Sequence, residues 1–438
     1  MNRLHLTLFP TRLALAAGLV ASCGQANAGG LLGYEVGTED LGLATAGYAV
    51  RAGDASTAFT NPAGMSLLKG QQVLVGTQLL YTNLKFSVDP GTSAALGNND
   101  GGRAAGKSGF FPGGGLFISY AATPDITLGF ASAGNFGASL KYNDDWVGRY
   151  YGQQSTLIGA SLIPSIAYKV NDQLSLGFGV NAMYGYLKSV TAINNVLPGL
   201  GDGKLKLSDS TWGFGGNVGL LYQLTPDTRI GATYTSPLKL NFKSPAQFSG
   251  IGPGLSAVLG ARGLLDTNVN LGVTVPQQVM LSAMHRIDAR WTLFGDAGWQ
   301  QWSKFGRVDV GIDSANPTNL TTQIAFKNTW HGAVGAQYQL SEPWRLDFGV
   351  AYDSKFQPGA DVSPSLPAND AWRFGFGFEK RVSQSLSWGV GGEYISGGSL
   401  NVNKTALLPV AAGGRGNLVG AYRHIGTVVS SAHVSWTY

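Results

Sequence analysis

The chain has 438 residues, of which only 13% are charged and 64 are glycine, and its formal net charge is +5. This composition is too apolar for a disordered chain, and the 30 Lys and Arg residues are scattered singly, which argues against a nucleic-acid interface. After the N-terminus, no uninterrupted apolar run reaches the about 18 residues that a membrane-spanning helix requires. Any membrane span in this chain must therefore be built from strands.

Residues 1–28 have the features of an export signal. Arg3 and Arg12 supply positive charge, Leu13–Ala21 forms a short apolar core, and Ala26-Asn27-Ala28 is a small-residue cleavage site. We expect cleavage after Ala28, which places the mature protein outside the cytoplasm.

A second signal overlaps the first, because Val20-Ala21-Ser22-Cys23 is also similar to a lipoprotein cleavage box. Cys23 is then either lipidated or removed with the signal peptide, and the sequence leaves both open. If it is removed, no cysteine remains, and disulfides and thiol catalysis are excluded.

Residues 29–69, the predicted hatch segment, lack sustained alternation and combine acidic residues with many alanines and glycines. Small residues suit close packing, and the lumen of a wide barrel is too large for its own side chains to fill. We therefore predict that this segment plugs a barrel. Near its end, Asn61-Pro62-Ala63-Gly64 predicts a fixed turn, because proline sets its own φ and biases Asn61 away from helix. The alternatives for this motif are a structural corner and a direct role in ligand gating.

Residues 70–438 are dominated by a period of two, which is typical of strands. In Trp372–Glu379 the aromatic residues alternate with Arg373, glycines and Glu379. A large soluble β-sandwich or propeller also alternates, but an aromatic face opposite a face of glycine and charge favours a barrel with lipid outside and a polar lumen. The predicted fold class is all-β, a transmembrane antiparallel β-barrel of about 14 strands with the hatch segment in its lumen.

Connector lengths support this prediction. Short polar turns alternate with long loops, an asymmetry typical of outer-membrane barrels, whose turns are periplasmic and whose loops are external. The turns are Thr123–Asp125, Asn171–Asp172, Thr225–Asp227, Ile287–Ala289, Ser341–Pro343 and Val382–Gln384, and the loops are Asp89–Phe110, Thr191–Lys204, Lys243–Thr267, Asp313–Asn319, Gln357–Asn369 and Asn401–Asn417. The last strand ends on Tyr438, and such an aromatic terminus resembles the signal that the outer-membrane assembly machinery recognises.

The stretch "LGLATAGYAVRAGDASTAFTNPAGMSLL" (41–68) closely resembles the N-terminal hatch of the FadL-type outer-membrane transporters of long-chain fatty acids. Later segments, including "VPQQVMLSAMHRIDARWTLFGDAGWQQWSKF", "FKNTWHGAVGAQY" and "LPANDAWRFGFGFE", resemble the same family in the same order. The resemblance implies a fourteen-stranded barrel in the bacterial outer membrane, surrounded by lipid and lipopolysaccharide and expected to be a monomer. It also implies passive uptake of a long-chain fatty acid or another hydrophobic small molecule.

In this family an inward kink of the third strand opens the wall sideways, and the residues carried over to that opening are Gly134, Asn135 and Phe136. Glycine inside a strand commonly marks a bulge or bend. An ordinary glycine-rich strand is the alternative.

Apolar residues in two external loops predict a groove in which a hydrophobic ligand first binds. They are Ile193, Val196 and Leu197 in one loop and Phe248, Ile251, Leu255, Val258 and Leu259 in the other, where the last three suit one helical face. Simple packing of one loop against the other is the alternative.

Lys327 shares its strand parity with Thr329 and His331 and is the candidate partner of a ligand carboxylate; a structural charge network is its alternative role.

An outer-membrane phospholipase would need a Ser and a His held together by a third group. The four histidines after residue 28 are scattered, and no G-x-S-x-G pattern is present. Neither paired-His metal spacing nor a phosphate-binding loop occurs, so no enzymatic activity, cofactor or metal is predicted. An aromatic-hydrocarbon channel of the same fold and a general porin remain alternative functions, and a surface adhesin is a further one.

Overall fold

The structure is a computed structural model that describes residues 31–438 except 103–108, 196–198, 266, 306, 314–317, 324 and 360–361. The predicted signal peptide, Cys23, Val196 and Leu197 lie outside the described residues. The helices in the described ranges are all short, and none of them could cross a bilayer.

Twenty strands are described: β1 (Gln71–Asn83), β2 (Phe86–Val88), β3 (Phe110–Ala121), β4 (Ile126–Lys141), β5 (Gln154–Lys169), β6 (Leu174–Ile193), β7 (Gly203–Thr225), β8 (Thr228–Thr235), β9 (Leu238–Pro245), β10 (Gln247–Ser249), β11 (Asn268–Val275), β12 (Gln278–Arg286), β13 (Trp291–Gln300), β14 (Arg307–Ile312), β15 (Thr318–Gln323), β16 (Thr329–Ser341), β17 (Trp344–Asp353), β18 (Ala371–Arg381), β19 (Leu386–Lys404) and β20 (Leu418–Thr437). The helices are α1 (Thr38–Gly42), α2 (Thr57–Thr60), α3 (Pro253–Ala261) and α4 (Trp302–Phe305), with 3₁₀ turns at Pro62–Leu67, Ala94–Leu96 and Val410–Ala412.

Fourteen of these strands form a closed antiparallel barrel, in the order β1-β3-β4-β5-β6-β7-β8-β12-β13-β16-β17-β18-β19-β20. The barrel closes because β1 pairs with β20, with Val75 opposite Val434. The predicted fold class is confirmed. All six predicted short turns join neighbouring barrel strands, and the long connections lie at the opposite end.

The two faces of the wall follow the predicted alternation. In β18, Trp372 and Phe374 are 52% and 48% exposed, whereas Arg373 between them is 2% exposed and faces the lumen. Aromatic contacts mark both rims of the outward face: Trp344 lies 6.0 Å from Trp388 near the turns, and Tyr352 lies 5.2 Å from Trp372 near the loops. Such paired belts are typical of barrels at the two membrane interfaces.

The long connections contain structure that the sequence did not predict. β9, β11, β14 and β15 form a separate four-stranded sheet beyond the barrel end, so the expected loop at 313–319 belongs to a hairpin. β10 pairs with the start of β7, and β2 pairs with β20. These short strands lie within the long connections and pair with one another or with the ends of barrel strands. The alternation of the barrel strands does not predict which of their residues lie opposite each other.

The described part of the hatch segment, residues 31–69, lies within the barrel against the inner wall. Thr38 Oγ1 is 2.7 Å from Ser431 Oγ of β20, and Ala49 N donates to Ser282 Oγ of β12 at 2.9 Å. Its backbone also approaches wall glycines: a Cβ at Gly349 would lie 1.8 Å from Leu43 O. Glycine on the lumen face therefore provides the space that the hatch segment occupies.

Candidate functional site

The third barrel strand, β4, is bulged at Asn135. Gly134 pairs with Ala160 of β5 and Phe136 pairs with Gly159, so Asn135 is an extra residue without a partner in the register. Its side-chain Oδ1 instead accepts a hydrogen bond from Ser161 Oγ at 3.0 Å. A bulge of this kind bends its strand and increases the local twist.

On its other edge, β4 leaves its neighbour at the same point. The last paired residues of β3 and β4 are Gly115 and Ala133, although β4 continues to Lys141 and β3 begins at Phe110. The wall is therefore unpaired between these strands from the bulge towards the loop end.

The start of the hatch segment occupies the free edge of β4. Gly33 N donates to Asn135 O at 2.9 Å, and Gly137 N donates to Leu31 O at 2.6 Å, which places Leu32 opposite Phe136. Gly137 has φ +120°, and a Cβ there would lie 1.9 Å from Leu157 O, so only glycine fits. The hatch segment thus adds a short strand where β3 is absent.

An apolar cluster surrounds this contact, and we call it the kink cluster. Phe136 packs edge-on against Phe305 of α4 at 6.4 Å, and Trp302 stacks on Phe356 at 4.7 Å. Its other buried members include Leu31, Leu32, Leu238, Leu240, Phe242, Val273, Val275 and Phe326. Most come from the external sheet and loops. The sequence analysis missed them, although the alternation of Leu238, Leu240 and Phe242 was a signal for an additional strand.

Two cavities flank the first residues of the hatch segment. One has a volume of about 20 Å³, is mainly apolar and is lined by Leu31, Thr82, Leu84, Ala138, Leu140, Leu366, Pro367, Ala368, Ile425 and Thr427. The other, also of about 20 Å³, is more polar, with Asn135, Asn181, Asn217, Gln278 and Tyr48 in its lining together with Leu32 and Gly33. Among the described lining residues of both, none is Lys or Arg.

Buried ion pairs hold the hatch segment to the wall at β17–β19. Arg373 contacts Glu35 of the hatch segment and Asp353 of β17, and its Nη1 is 3.5 Å from Glu393 Oε1. Arg373 and Glu35 are almost fully buried, and removing one member of such a pair leaves an uncompensated charge. These contacts therefore anchor the hatch segment.

A second ion-pair group lies nearer the turns. Arg345 Nη2 is 2.9 Å from Glu39 Oε1 of the hatch segment and 2.8 Å from Glu379 Oε2, and Arg51 contacts Asp40 within the hatch segment. At β4, by contrast, the hatch segment is held by backbone hydrogen bonds and apolar packing. Residues 31–33 and the part from Glu35 to Arg51 are thus attached by different kinds of interaction.

The Asn61-Pro62-Ala63-Gly64 motif forms a buried corner against β6 and β7. Asn61 Nδ2 donates to Ala49 O at 2.6 Å and Leu220 O at 3.1 Å, and its Oδ1 accepts from Ala63 N at 3.1 Å. Pro62 begins the 3₁₀ turn, and a Cβ on buried Gly64 would lie 2.7 Å from Thr57 Cγ2. Every one of these contacts is internal to the protein.

The two loops of the predicted external groove do meet. Asn195 Nδ2 donates to Gly250 O at 2.8 Å, and Gly252 N donates to Asn195 Oδ1 at 2.9 Å. Leu255, Val258 and Leu259 lie on α3, no residue of which is buried. Phe248, Ile251 and Ile193 are partly exposed nearby. None of these side chains lines either cavity, so the predicted groove and the kink cluster are separate.

Lys327 lies just before β16, with its side chain exposed, and its N donates to Phe356 O at 2.8 Å. Thr329 and His331 of β16 are buried on the lumen side. Because β16 begins at Thr329, Lys327 precedes the strand and does not share its lumen-facing orientation.

A contact between two other external loops involves Arg149 and Tyr150. Arg149 Nε is 2.6 Å from Asp202 Oδ2, and Tyr150 donates to the same carboxylate at 2.5 Å. Burial raises the pKa of Tyr150 to about 12, so this tyrosine remains a donor that joins two external loops.

Comparison with known proteins identifies relatives over nearly the whole chain. Outer membrane protein P1 of Haemophilus influenzae is 28% identical, with 91% of each chain covered. The long-chain fatty acid transport protein of Escherichia coli O6:H1 is 26% identical, covering 89% of this chain and 92% of that protein. The crystal structure of a Pseudomonas aeruginosa FadL homologue has a TM-score of 0.82 at 22% identity, covering 93% of this chain and 99% of that one.

A family model described as "Outer membrane protein transport protein (OMPP1/FadL/TodX)" matches residues 19–434. The match spans the hatch segment and the bulged β4, and it ends at Val434, within the last barrel strand β20. The chain therefore belongs to the OMPP1/FadL/TodX family of outer-membrane transport proteins.

Proposed function

We propose that this protein is a passive channel, not an enzyme, that takes up hydrophobic molecules across the outer membrane, with long-chain fatty acids as its leading substrates. The observation that carries the proposal is the gap between β3 and β4 at Asn135, which the first residues of the hatch segment fill. A small apolar cavity, lined in part by Leu31, lies beside this contact. In the proposal, displacement of Leu31–Gly33 enlarges this cavity so that it admits the ligand.

Lateral release suits an apolar ligand for energetic reasons. Each CH₂ group that moves from an apolar pocket into water loses about 0.8 kcal/mol, whereas its transfer into lipid is close to neutral. A route through the β3–β4 gap, past Gly134, Asn135 and Phe136, keeps the acyl chain out of water throughout. A route straight down the lumen would meet the ion pairs of Arg373 and Arg345 instead.

The attachment of the hatch segment supports gating at its first residues only. Leu31–Gly33 are held at β4 by two backbone hydrogen bonds, whereas residues beyond Glu35 are anchored through Arg373 and Arg345. In the proposal, ligand binding displaces Leu31–Gly33 and leaves the remainder in place. The buried Asn61 corner serves as a fixed point, which favours its structural role over direct gating.

Capture is proposed to begin at the external surface. Leu255, Val258 and Leu259 present apolar side chains on α3, and Ile251, Phe248 and Ile193 extend the same region. Lys327 is exposed at the outer end of β16 and is proposed to contact a ligand carboxylate before the acyl chain enters. The absence of Lys and Arg from the described lining of both cavities is consistent with the carboxylate being recognised outside them.

Two alternatives predict different substrates. An aromatic-hydrocarbon channel is consistent with the aromatic rings of the kink cluster, and a general porin would require a continuous wet bore. The hatch segment fills the described lumen with buried side chains, which favours a hydrophobe channel.

The test uses a reversible lock. Leu32 and Phe136 are directly opposite each other in an antiparallel pair without mutual hydrogen bonds, a geometry with closely spaced Cβ atoms. The double variant Leu32→Cys with Phe136→Cys should form a disulfide that holds the hatch segment on β4. In proteoliposomes, oxidation should abolish oleate uptake and reduction should restore it, while each single variant remains active in both states.

Glucose and toluene are measured in the same vesicles. Uptake of toluene but not oleate would favour the aromatic channel, and rapid glucose entry would favour the porin. Undiminished oleate uptake by the oxidised, disulfide-bonded protein would refute lateral release through this gap.

A further inference from the structure

A basic cavity lies on the outer face of the barrel at the loop end of β4–β7. It has a volume of about 360 Å³, and four lysines line it: Lys141, Lys188, Lys204 and Lys206. Asp144 is the only carboxylate among its described lining residues, which otherwise include Tyr142, Gln153, Gln154, Val190 and Ser249. We call this set of four lysines the lysine basin.

Strand register places the basin on the outside of the wall. Lys141 pairs with Gln154, Gln154 with Val190, and Val190 with Lys206, so these side chains form one row across four strands. On β7 the same face continues two residues at a time to Trp212 and Phe214, which are 49% and 68% exposed. The basin therefore lies on the loop side of the aromatic belt that faces lipid, with Ser208 and Ser210 between Lys206 and Trp212 on the same face of β7.

The charge of the basin is largely uncompensated. Of the four basin lysines, only Lys204 has an ion-pair partner among the described residues, with its Nζ 3.0 Å from Asp144 Oδ2. Lys141, Lys188 and Lys206 have no carboxylate within ion-pair distance in that same set of residues. Clustered like charges repel one another, most strongly where low-dielectric lipid lies on one side. Arg345 and Arg373 on the lumen side, by contrast, contact carboxylates of the wall and the hatch segment.

We propose that the lysine basin binds the phosphorylated disaccharide headgroup of lipid A, the glycolipid of the outer leaflet, and that its acyl chains lie on Tyr184, Trp212 and Phe214. Three features support this occupant. Lysine ammonium groups are common phosphate ligands. The basin lies at headgroup depth, above aromatic side chains that contact acyl chains. Its volume also exceeds what a single phosphate ion would fill.

This proposal is independent of the transport route, because the basin lies on the opposite face of the wall from both cavities. It does, however, place a bound lipid beside β4, the strand that carries the bulge. The site would fix one glycolipid against the side of the barrel from which the ligand is proposed to leave.

Binding can be measured on the purified full-length protein in detergent by native mass spectrometry and by titration with bis-phosphorylated lipid A. The variant Lys188→Gln with Lys206→Gln should weaken lipid A binding about 30-fold, as expected for two lost cationic contacts. A matched control, Lys239→Gln with Lys304→Gln, removes the same charge from exposed external positions and should change binding less than about twofold. Asp144→Asn should tighten binding, because it removes the only competing carboxylate.

Three probes identify the source of the anion. Monophosphorylated lipid A should bind more weakly than the bis-phosphorylated form, and inorganic phosphate and phosphatidylglycerol should compete poorly. Equal affinity of the basin and control variants for lipid A would overturn the proposal, and so would phosphatidylglycerol binding as tightly as lipid A. Oleate uptake should be unchanged in all of these variants, so failure here is distinguishable from failure of the proposed transport function.

Discussion

Arg373 shows what a single residue's sequence context can and cannot predict. The alternation of β18 places it on the lumen face between Trp372 and Phe374, and the structure confirms that orientation. Its partner Glu35 is 338 residues away in the chain, however, and alternation contains no information about that pairing. Periodicity gives the face of a strand residue, whereas a long-range ion pair depends on where the hatch segment lies in the lumen.

Glycine on the lumen face is a second residue-scale feature, and it gives a prediction about how the hatch segment is seated. A Cβ at Gly349 would lie 1.8 Å from Leu43 O and 2.6 Å from Ala44 N, so Gly349→Val should displace this part of the hatch segment. We expect destabilisation of about 1–3 kcal/mol, as is usual for overpacking. Trypsin should then cleave after Arg51, whose side chain is only 7% exposed in the intact structure.

The matched control is Gly332→Val on neighbouring β16. Gly332 faces lipid between Trp330 and Val334, and a Cβ there meets no atom within 4 Å. This variant should resist trypsin as the unsubstituted protein does. If Gly349→Val is equally resistant at Arg51, the close contact between wall and hatch segment does not determine where that segment lies.

At the scale of elements, the outward face of β18 is tested by placing a charge in it. Phe374 is 48% exposed and lies between the two aromatic rims, with Trp372 near the loops and Phe378 near the turns. Phe374→Arg should lower the free energy of unfolding in lipid vesicles by about 2–4 kcal/mol, the range for arginine near the bilayer midplane. The measurement is urea-induced unfolding followed by tryptophan fluorescence.

Position in the bilayer provides the control for that experiment. Phe378 lies near the turn end of β18, where a charge can contact interfacial water. Phe378→Arg should therefore lower the free energy of unfolding markedly less than Phe374→Arg does. Equal losses at both positions would contradict the assignment of this face to the bilayer.

The barrel strands and their short turns were predictable, because the alternation of apolar and small or polar residues and the polar turn residues both recur along the chain. The external sheet was not, since β9, β11, β14 and β15 are short and their pairing is decided by loops that fold back on one another. The gap beside β4 was only partly predictable. Gly134 and Asn135 indicate a bulge, but the pairing of Gly137 with Leu31 joins residues more than a hundred positions apart.

At the scale of the whole molecule, we propose that two barriers close the bore in series. The hatch segment lies in the lumen, and above it an apolar roof joins three external connections to the loop end of β20. In the roof, Tyr142 stacks on Trp146 at 3.8 Å and donates to Pro364 O at 2.8 Å, and Phe86 packs against Tyr422 at 5.2 Å. All four of these aromatic side chains are buried. In this proposal, water-soluble molecules meet an apolar barrier outside and an ion-paired one inside.

If the two barriers act in series, the bore should admit polar molecules only when both the hatch segment and the roof are altered. Removal of residues 34–66 should leave the roof closed, and Tyr142→Ala with Trp146→Ala should leave the hatch segment in place. Each change alone should therefore give arabinose entry close to that of the intact protein in a liposome-swelling assay. The combination should admit arabinose at a rate comparable with that of an open pore, because only then are both barriers absent.

The control for the roof is Trp212→Ala, which removes a tryptophan of the same size from the lipid-facing side and should not open the bore in either background. Assembly of each variant is checked by its heat-modifiable migration on gels. The charged wall should tolerate loss of the hatch segment, since Arg373 and Arg345 retain Asp353, Glu393 and Glu379 and gain water. If removal of residues 34–66 alone admits arabinose as fast as the combined variant, the roof is permeable and the hatch segment is the only barrier to polar molecules.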